Sequence, residues 1–182
     1  NLSALAGTPA NFTFHDATSQ IEINPATNKA HFAWGEGLYD QNEHIYYYNG
    51  DTSSVTDLSS LPGGFNDRLY NIAGELTRPL VGMGSNGDFH IFWHQAPQTA
   101  ETSGDVFYYD SSNGLLRNLS AEAGASLPTT SGYYATSITG PTQVLQKVIF
   151  DADGKPHIVW MEYSQNGGTS GRHIFYYNGG PN

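Results

Sequence analysis

Hydrophobic positions in this chain gather into short runs rich in β-branched and aromatic residues, each bounded by polar turns. His31-Phe32-Ala33-Trp34, His90-Ile91-Phe92-Trp93 and His157-Ile158-Val159-Trp160 form one set. Ile45-Tyr46-Tyr47-Tyr48, Val106-Phe107-Tyr108-Tyr109 and Ile174-Phe175-Tyr176-Tyr177 form a second, each following its partner in the first. Runs this short, with this composition, predict strands. All 3 Trp close a run of the first kind, and five of the 7 His (His31, His44, His90, His157, His173) stand at the head of a run. Residues this rare do not fall so regularly by chance, so the chain reads as a threefold repeat.

A second marker phases the repeat: Asn1-Leu2-Ser3, Asp57-Leu58-Ser59 and Asn118-Leu119-Ser120. One domain over residues 1–182 then holds repeats of about 1–56, 57–117 and 118–182. Each repeat predicts four strands. The first is Ser19–Asn24, Pro79–Met83 or Val144–Phe150, followed by a four-residue turn ending in Asn28, Gly87 or Gly154, where a tight hairpin needs positive φ. The His-x-x-Trp run and the Tyr run come next. The last strand is Ser54–Leu58 or Leu115–Leu119, and no segment carries a helical period with caps. Long, dissimilar connections are expected after the second strand (Gly35–Glu43, Gln95–Gly104, Glu162–Arg172) and between repeats.

Four antiparallel strands per repeat, apolar on both faces, predict an all-β fold of β-propeller blades, sandwiched between neighbours. A β-sandwich is the other reading; it predicts cleaner alternation and no repeat. Three blades cannot close a ring, since propellers need about 4–8. The expectation is a six-bladed ring completed by a second copy or by a missing part of a longer chain. The open edge would be Phe175-Tyr176-Tyr177, paired there by Asn1-Leu2-Ser3 of the other copy.

Composition narrows the function. With 17 acidic against 7 basic residues, a net charge of −10 and single, scattered Lys and Arg, no basic stripe exists to meet phosphates, which argues against nucleic acid. No apolar run approaches the roughly 18 residues of a membrane span. There is no Cys, so disulfides and thiolate metal sites play no part. Low charge with 12 Tyr and 21 Gly points to an extracellular or cell-surface protein.

Long connections on one face mark the expected binding surface. Glu36, Gln95 and Glu162 each stand two residues after Trp; His94, Tyr39 and Tyr163 lie beside them, and the loops add Arg68, Tyr133 and Tyr134. Acidic acceptors, an Arg and flat aromatic faces suit a sugar, whose hydroxyls want bidentate partners and whose C–H faces stack on rings. Glu36 and Glu162 could also act as acid and base on a glycoside. The repeated His31, His90 and His157 read as blade-holding residues bonded to nearby turn groups, so no metal and no cofactor is expected. Asp151-Ala152-Asp153-Gly154 starts like a calcium loop, but Lys155 and Pro156 break the ligand pattern and leave a polar hairpin. A sequon at Asn118 falls in a predicted strand and reads as accidental.

Asn118-Leu119-Ser120-Ala121-Glu122-Ala123-Gly124-Ala125, Gly132-Tyr133-Tyr134, His157-Ile158-Val159-Trp160 and His173-Ile174-Phe175-Tyr176-Tyr177 together resemble the repeats of the fungal and bacterial fucose-binding lectins. The resemblance implies six blades, sugars held between blades, and an Arg, an acidic residue and an aromatic in each site. In this chain Arg68, Arg78, Arg117 and Arg172 share no repeat position. The expected function is noncatalytic glycan or polysaccharide binding. The alternatives are a protein-interaction or surface-assembly module, or a carbohydrate-active hydrolase or lyase.

Overall fold

The computed structural model describes residues 20–38, 41–64, 79–95, 105–123, 148–166 and 169–180, with backbone alone at 37–38, 41–43, 94–95, 161–166 and 169–173. It is all-β. The first sheet holds β1 (Gln20–Asn24), β2 (Lys29–Leu38), β3 (Gln41–Asn49) and β4 (Ser54–Asp57) in that order. The second repeats it with β5 (Leu80–Met83), β6 (Phe89–Gln95), β7 (Asp105–Asp110) and β8 (Leu115–Asn118). The third has three strands, β9 (Ile149–Phe150), β10 (Pro156–Asn166) and β11 (Thr169–Tyr177), with β10 in the middle. Every pairing is antiparallel. Residues 1–19 and 144–147, which carry the expected N-terminal strand and part of the third repeat's first strand, lie outside the described residues.

The first hairpin of each sheet turns as its residues require. Asn28, Gly87 and Gly154 take φ of 56°, 88° and 79°, the left-handed region that Gly and Asn enter most cheaply. Two of the expected loops are instead strand. β2 and β3 run on to Leu38↔Gln41 past a register shift at Glu36/Leu38, and β10 and β11 to Asn166↔Thr169. Between Asn166 and Thr169 the sequence is Gly-Gly, a dipeptide that favours two-residue hairpins. A one-turn helix, α1 (Leu119–Glu122), also forms where none was expected, because the Asn118 side chain caps it by accepting from the Ala121 N–H at 2.8 Å.

The sheets stack face to face with the second in the middle. Ala33, Ile45, Tyr47 and Leu58 of the first repeat pack against Val81, Phe89, Ile91, Trp93, Phe107 and Tyr109 of the second. The opposite face of that second sheet (Leu80, Phe92, Val106, Tyr108), with Leu119, packs on Ile158, Trp160 and Tyr177. Burial on both faces explains why these strands do not alternate apolar and polar. Each Trp stacks on the aromatic opposite it in register: Trp34 on Tyr46, Trp93 on Phe107 and Trp160 on Phe175, at 5.4, 5.6 and 5.5 Å between centroids. Each repeated His bonds through Nδ1 to a Tyr hydroxyl: His31 to Tyr47 (2.8 Å), His90 to Tyr108 (2.7 Å) and His157 to Tyr176 (2.5 Å). The Leu-Ser marker is structural too. Leu58 and Leu119 are buried, and the buried Ser59 and Ser120 hydroxyls accept the Ile45 and Val106 N–H groups at 3.0 and 2.8 Å. Among the described residues no helix is long and apolar enough to cross a membrane.

Candidate functional site

Along the outer edge of the second sheet, β8 places Arg117 opposite Tyr108, so both side chains face the third sheet. The turn into α1 then brings Glu122 back over the guanidinium. Arg117 Nε donates to Glu122 Oε1 at 2.9 Å, and Nη2 donates to Oε2, giving a two-pronged pair. Across the seam, Arg117 Nη1 donates to the Tyr177 hydroxyl at 2.7 Å and to the Gly180 carbonyl at 3.4 Å. The guanidinium carbon lies 5.0 Å from the centre of the Tyr177 ring, a cation–π contact. Tyr108 and Tyr177 meet at 5.3 Å and 50°.

These groups line an open cleft of about 630 Å³, with Asp110, Asn113, Leu115 and Gly179 at its margin. Electrostatics hold the fork charged. The Glu122 hydrogen bond raises the Arg117 pKa above its already high value, against some desolvation. Burial raises the Tyr177 hydroxyl, with Arg117 pulling the other way, and burial raises Tyr108 further. Both hydroxyls therefore stay neutral. The Tyr108 and Tyr177 hydroxyls are engaged by His90 and Arg117, so the outer edge of the donor–acceptor fork, the Asp110 carboxylate and the exposed Leu115 side chain offer hydrogen bonds and an apolar rest side by side.

Of the residues expected to bind, only Glu36 has a described side chain. It is buried on the outer face of the first sheet, and its Oε2 accepts from Trp34 Nε1 at 3.0 Å. The backbones of His94, Glu162 and Tyr163 pair with Val106, His173 and Arg172, while their side chains lie outside the described residues. Tyr39, Arg68, Tyr133 and Tyr134 lie wholly outside them. Glu36 and Glu162 belong to the first and third sheets, with the second between.

Elsewhere, the Asp151 carboxylate serves its own turn, with Oδ1 accepting from the Asp153 and Lys155 N–H groups, both at 2.9 Å. Both ends of the Asn118 amide are engaged, one by Ala121 and the other donating to Asp105 at 2.7 Å. Among the described residues no group of three His, Asp or Glu side chains converges to hold a metal.

Sequence reasoning missed Arg117, Glu122, Tyr108 and Tyr177 as a set. The signal present was Arg directly before the Asn-Leu-Ser marker with Glu closing the following turn, a pair the first repeat replaces with Thr56 and Leu61. Comparison with family models, curated proteins and solved structures returned no match.

Proposed function

We propose that the chain is a noncatalytic, extracellular, lectin-like carbohydrate-binding module that holds a sugar in the Arg117 cleft. Its three sheets would be blades of a six-bladed β-propeller whose remaining blades come from a second copy or from further chain. The carrying observation is the Arg117–Glu122 fork set beside the Tyr108 and Tyr177 rings at a seam between sheets. Sugars are recognised by this combination: bidentate polar groups for adjacent hydroxyls and an apolar surface for the C–H face. The cleft volume of about 630 Å³ lies within the roughly 300–1,000 Å³ of ordinary ligand sites. The recurring Trp stacks, His–Tyr bonds and buried faces support the blade reading.

A glycan array followed by titration calorimetry tests it. Selective binding without sugar release is expected, weakened about tenfold or more in Glu122→Ala, since one lost charged hydrogen-bond partner is worth about 1.5–3 kcal/mol. Binding untouched by Glu122→Ala would move the sugar elsewhere. Turnover of a polysaccharide would favour the hydrolase or lyase reading. The protein-interaction reading draws on a different observation, the exposed apolar positions of the two outermost sheet faces.

A further inference from the structure

The inner seams define two kinds of sheet face. One carries Trp: Trp93 of the second sheet packs towards the first, and Trp160 of the third packs towards the second. The other carries the His–Tyr pair: His31 and Tyr47 face the second sheet, where His31 stacks on Phe89 at 3.7 Å, and His90 and Tyr108 face the third. Every inner seam therefore joins a His–Tyr face to the Trp face of the next sheet. At the ends of the stack, the first sheet keeps a Trp face on which Trp34 and Tyr46 are buried within the chain but Ile21 and Ile23 are exposed, and the third keeps an exposed His–Tyr face.

Register identifies what those end faces lack. Ile174 occupies the position of Ile45 and Val106, and Tyr176 that of Tyr47 and Tyr108. In the inner seams these positions are 0% exposed for Ile45 and Val106 and 2–3% for the two Tyr, whereas Ile174 is 76% and Tyr176 59% exposed. On the other end, Ile21 and Ile23 occupy the positions of Val81 and Met83, which pack into the first core, yet are themselves 62% and 49% exposed. Ile149, in the place of Gly82, is exposed as well. Five of the six exposed large hydrophobics among the described residues thus stand at seam positions. Size matches too. Gly82 lies against Phe150, where an added methyl would come within 2.6 Å of the ring. On the end faces the corresponding pair is Ile149 with Ile23, more bulk on one side and less on the other.

We infer that these two faces dock on each other between two copies of the chain, head to tail, reproducing the inner seam twice and closing a ring of six sheets. The exposed seam positions of the two end faces belong to the two halves of an interface the chain already forms twice within itself, so a second copy supplies both. Head-to-tail contacts make closed rings when the rotation allows. Six sheets fall inside the propeller range of about 4–8, and three copies would exceed it. This assembly stands whether or not the Arg117 cleft binds sugar.

Light scattering coupled to size exclusion, run at tens of micromolar chain, tests it through mass alone. A particle of twice the 19.8 kDa chain mass is expected. Ile174→Glu and Ile21→Lys should each give a monomer with unchanged circular dichroism, because both positions are exposed in the single chain while their inner-seam counterparts Ile45, Val106 and Val81 are buried, so only the docked form buries the new charge. Mixing the two variants should restore a dimer, since one seam then pairs Glu with Lys and the other is unaltered. A wild-type monomer, as expected if the faces serve a flanking repeat of a longer chain, would overturn the inference. So would a dimer indifferent to both variants, or a mixture that stays monomeric.

Discussion

Trp160→Ala separates a structural aromatic from a ligand-binding one. Trp160 is almost fully buried, stacks on Phe175 at 5.5 Å and 22°, and sits among Leu80, Phe92, Val106, Tyr108, Leu119, Ile158 and Tyr177. Truncation removes the transfer free energy of the indole and leaves a cavity between two sheets that cannot collapse independently, at a cost of about 3–5 kcal/mol. Of that, roughly 0.5–1.5 kcal/mol is the ring pair itself. A domain of this size has about 5–15 kcal/mol in total, so the loss is about a fifth or more. At about 2–4 °C per kcal/mol the melting temperature should fall by roughly 6–20 °C. Urea unfolding followed by far-ultraviolet circular dichroism measures it, with sugar binding assayed below the transition. There the folded fraction should bind as the parent does. An unchanged Tm with abolished binding would make Trp160 a ligand residue and refute the argument that the repeated Trp hold the sheets together.

Acid should destabilise the fold in two stages. Burial lowers the pKa of His90, and burial lowers that of His31 against the opposing pull of Asp51. A depressed histidine is protonated first in the unfolded chain, so its contribution is intact above about pH 6.5 and is lost as pH falls below that value. Asp51, held low first by its Thr27 hydrogen bond, and Asp151, held low first by the Lys155 N–H, extend the loss below about pH 4. Thermal melts from about pH 8 to 2 check this; a Tm that stays level down to about pH 5.5, or a decline that His90→Gln leaves unaltered, contradicts it. Ser120→Ala should cost about 1–3 kcal/mol by stranding the buried Val106 N–H. Faster hydrogen exchange at Val106 relative to the rest of β7 is the accompanying local signature.

What could be read along the chain was whatever recurs. The strand sets, the positive-φ turn residues and the Leu-Ser marker all answer to one repeated packing problem, so each appears as a pattern. The structural meaning of the His was legible for the same reason: a residue placed three before every Trp has a partner in every sheet, here a Tyr hydroxyl. The hairpin arms were less legible because their extension depends on cross-strand pairing such as Glu36↔His44 and Glu162↔His173, which local composition does not encode. The Arg117 cleft was hidden for the opposite reason. It is made where repeats differ, by residues 60 positions apart that meet only when the second and third sheets pack.

That difference between seams can be tested by transplanting it. Across the first seam, Tyr47 and Tyr109 meet at 6.0 Å and 52°, much as Tyr108 and Tyr177 meet at 5.3 Å and 50° across the second. Thr56 lies opposite Tyr47 in register as Arg117 lies opposite Tyr108. The first seam therefore has the aromatic half of the cleft without the fork, since Thr56 and Leu61 stand for Arg117 and Glu122. The parent chain should bind one sugar, and Thr56→Arg with Leu61→Glu should bind two, as read by calorimetric stoichiometry. Leu61 packs against the first core, so the double variant gives up some apolar burial and should melt lower. Thr56→Arg alone should leave the stoichiometry at one, because an unpaired guanidinium has no carboxylate to fix its plane. A parent chain that binds one sugar per repeat would place recognition on features all three sheets share, such as the His–Tyr pairs. A folded double variant that still binds one would show that the fork and the two rings do not suffice.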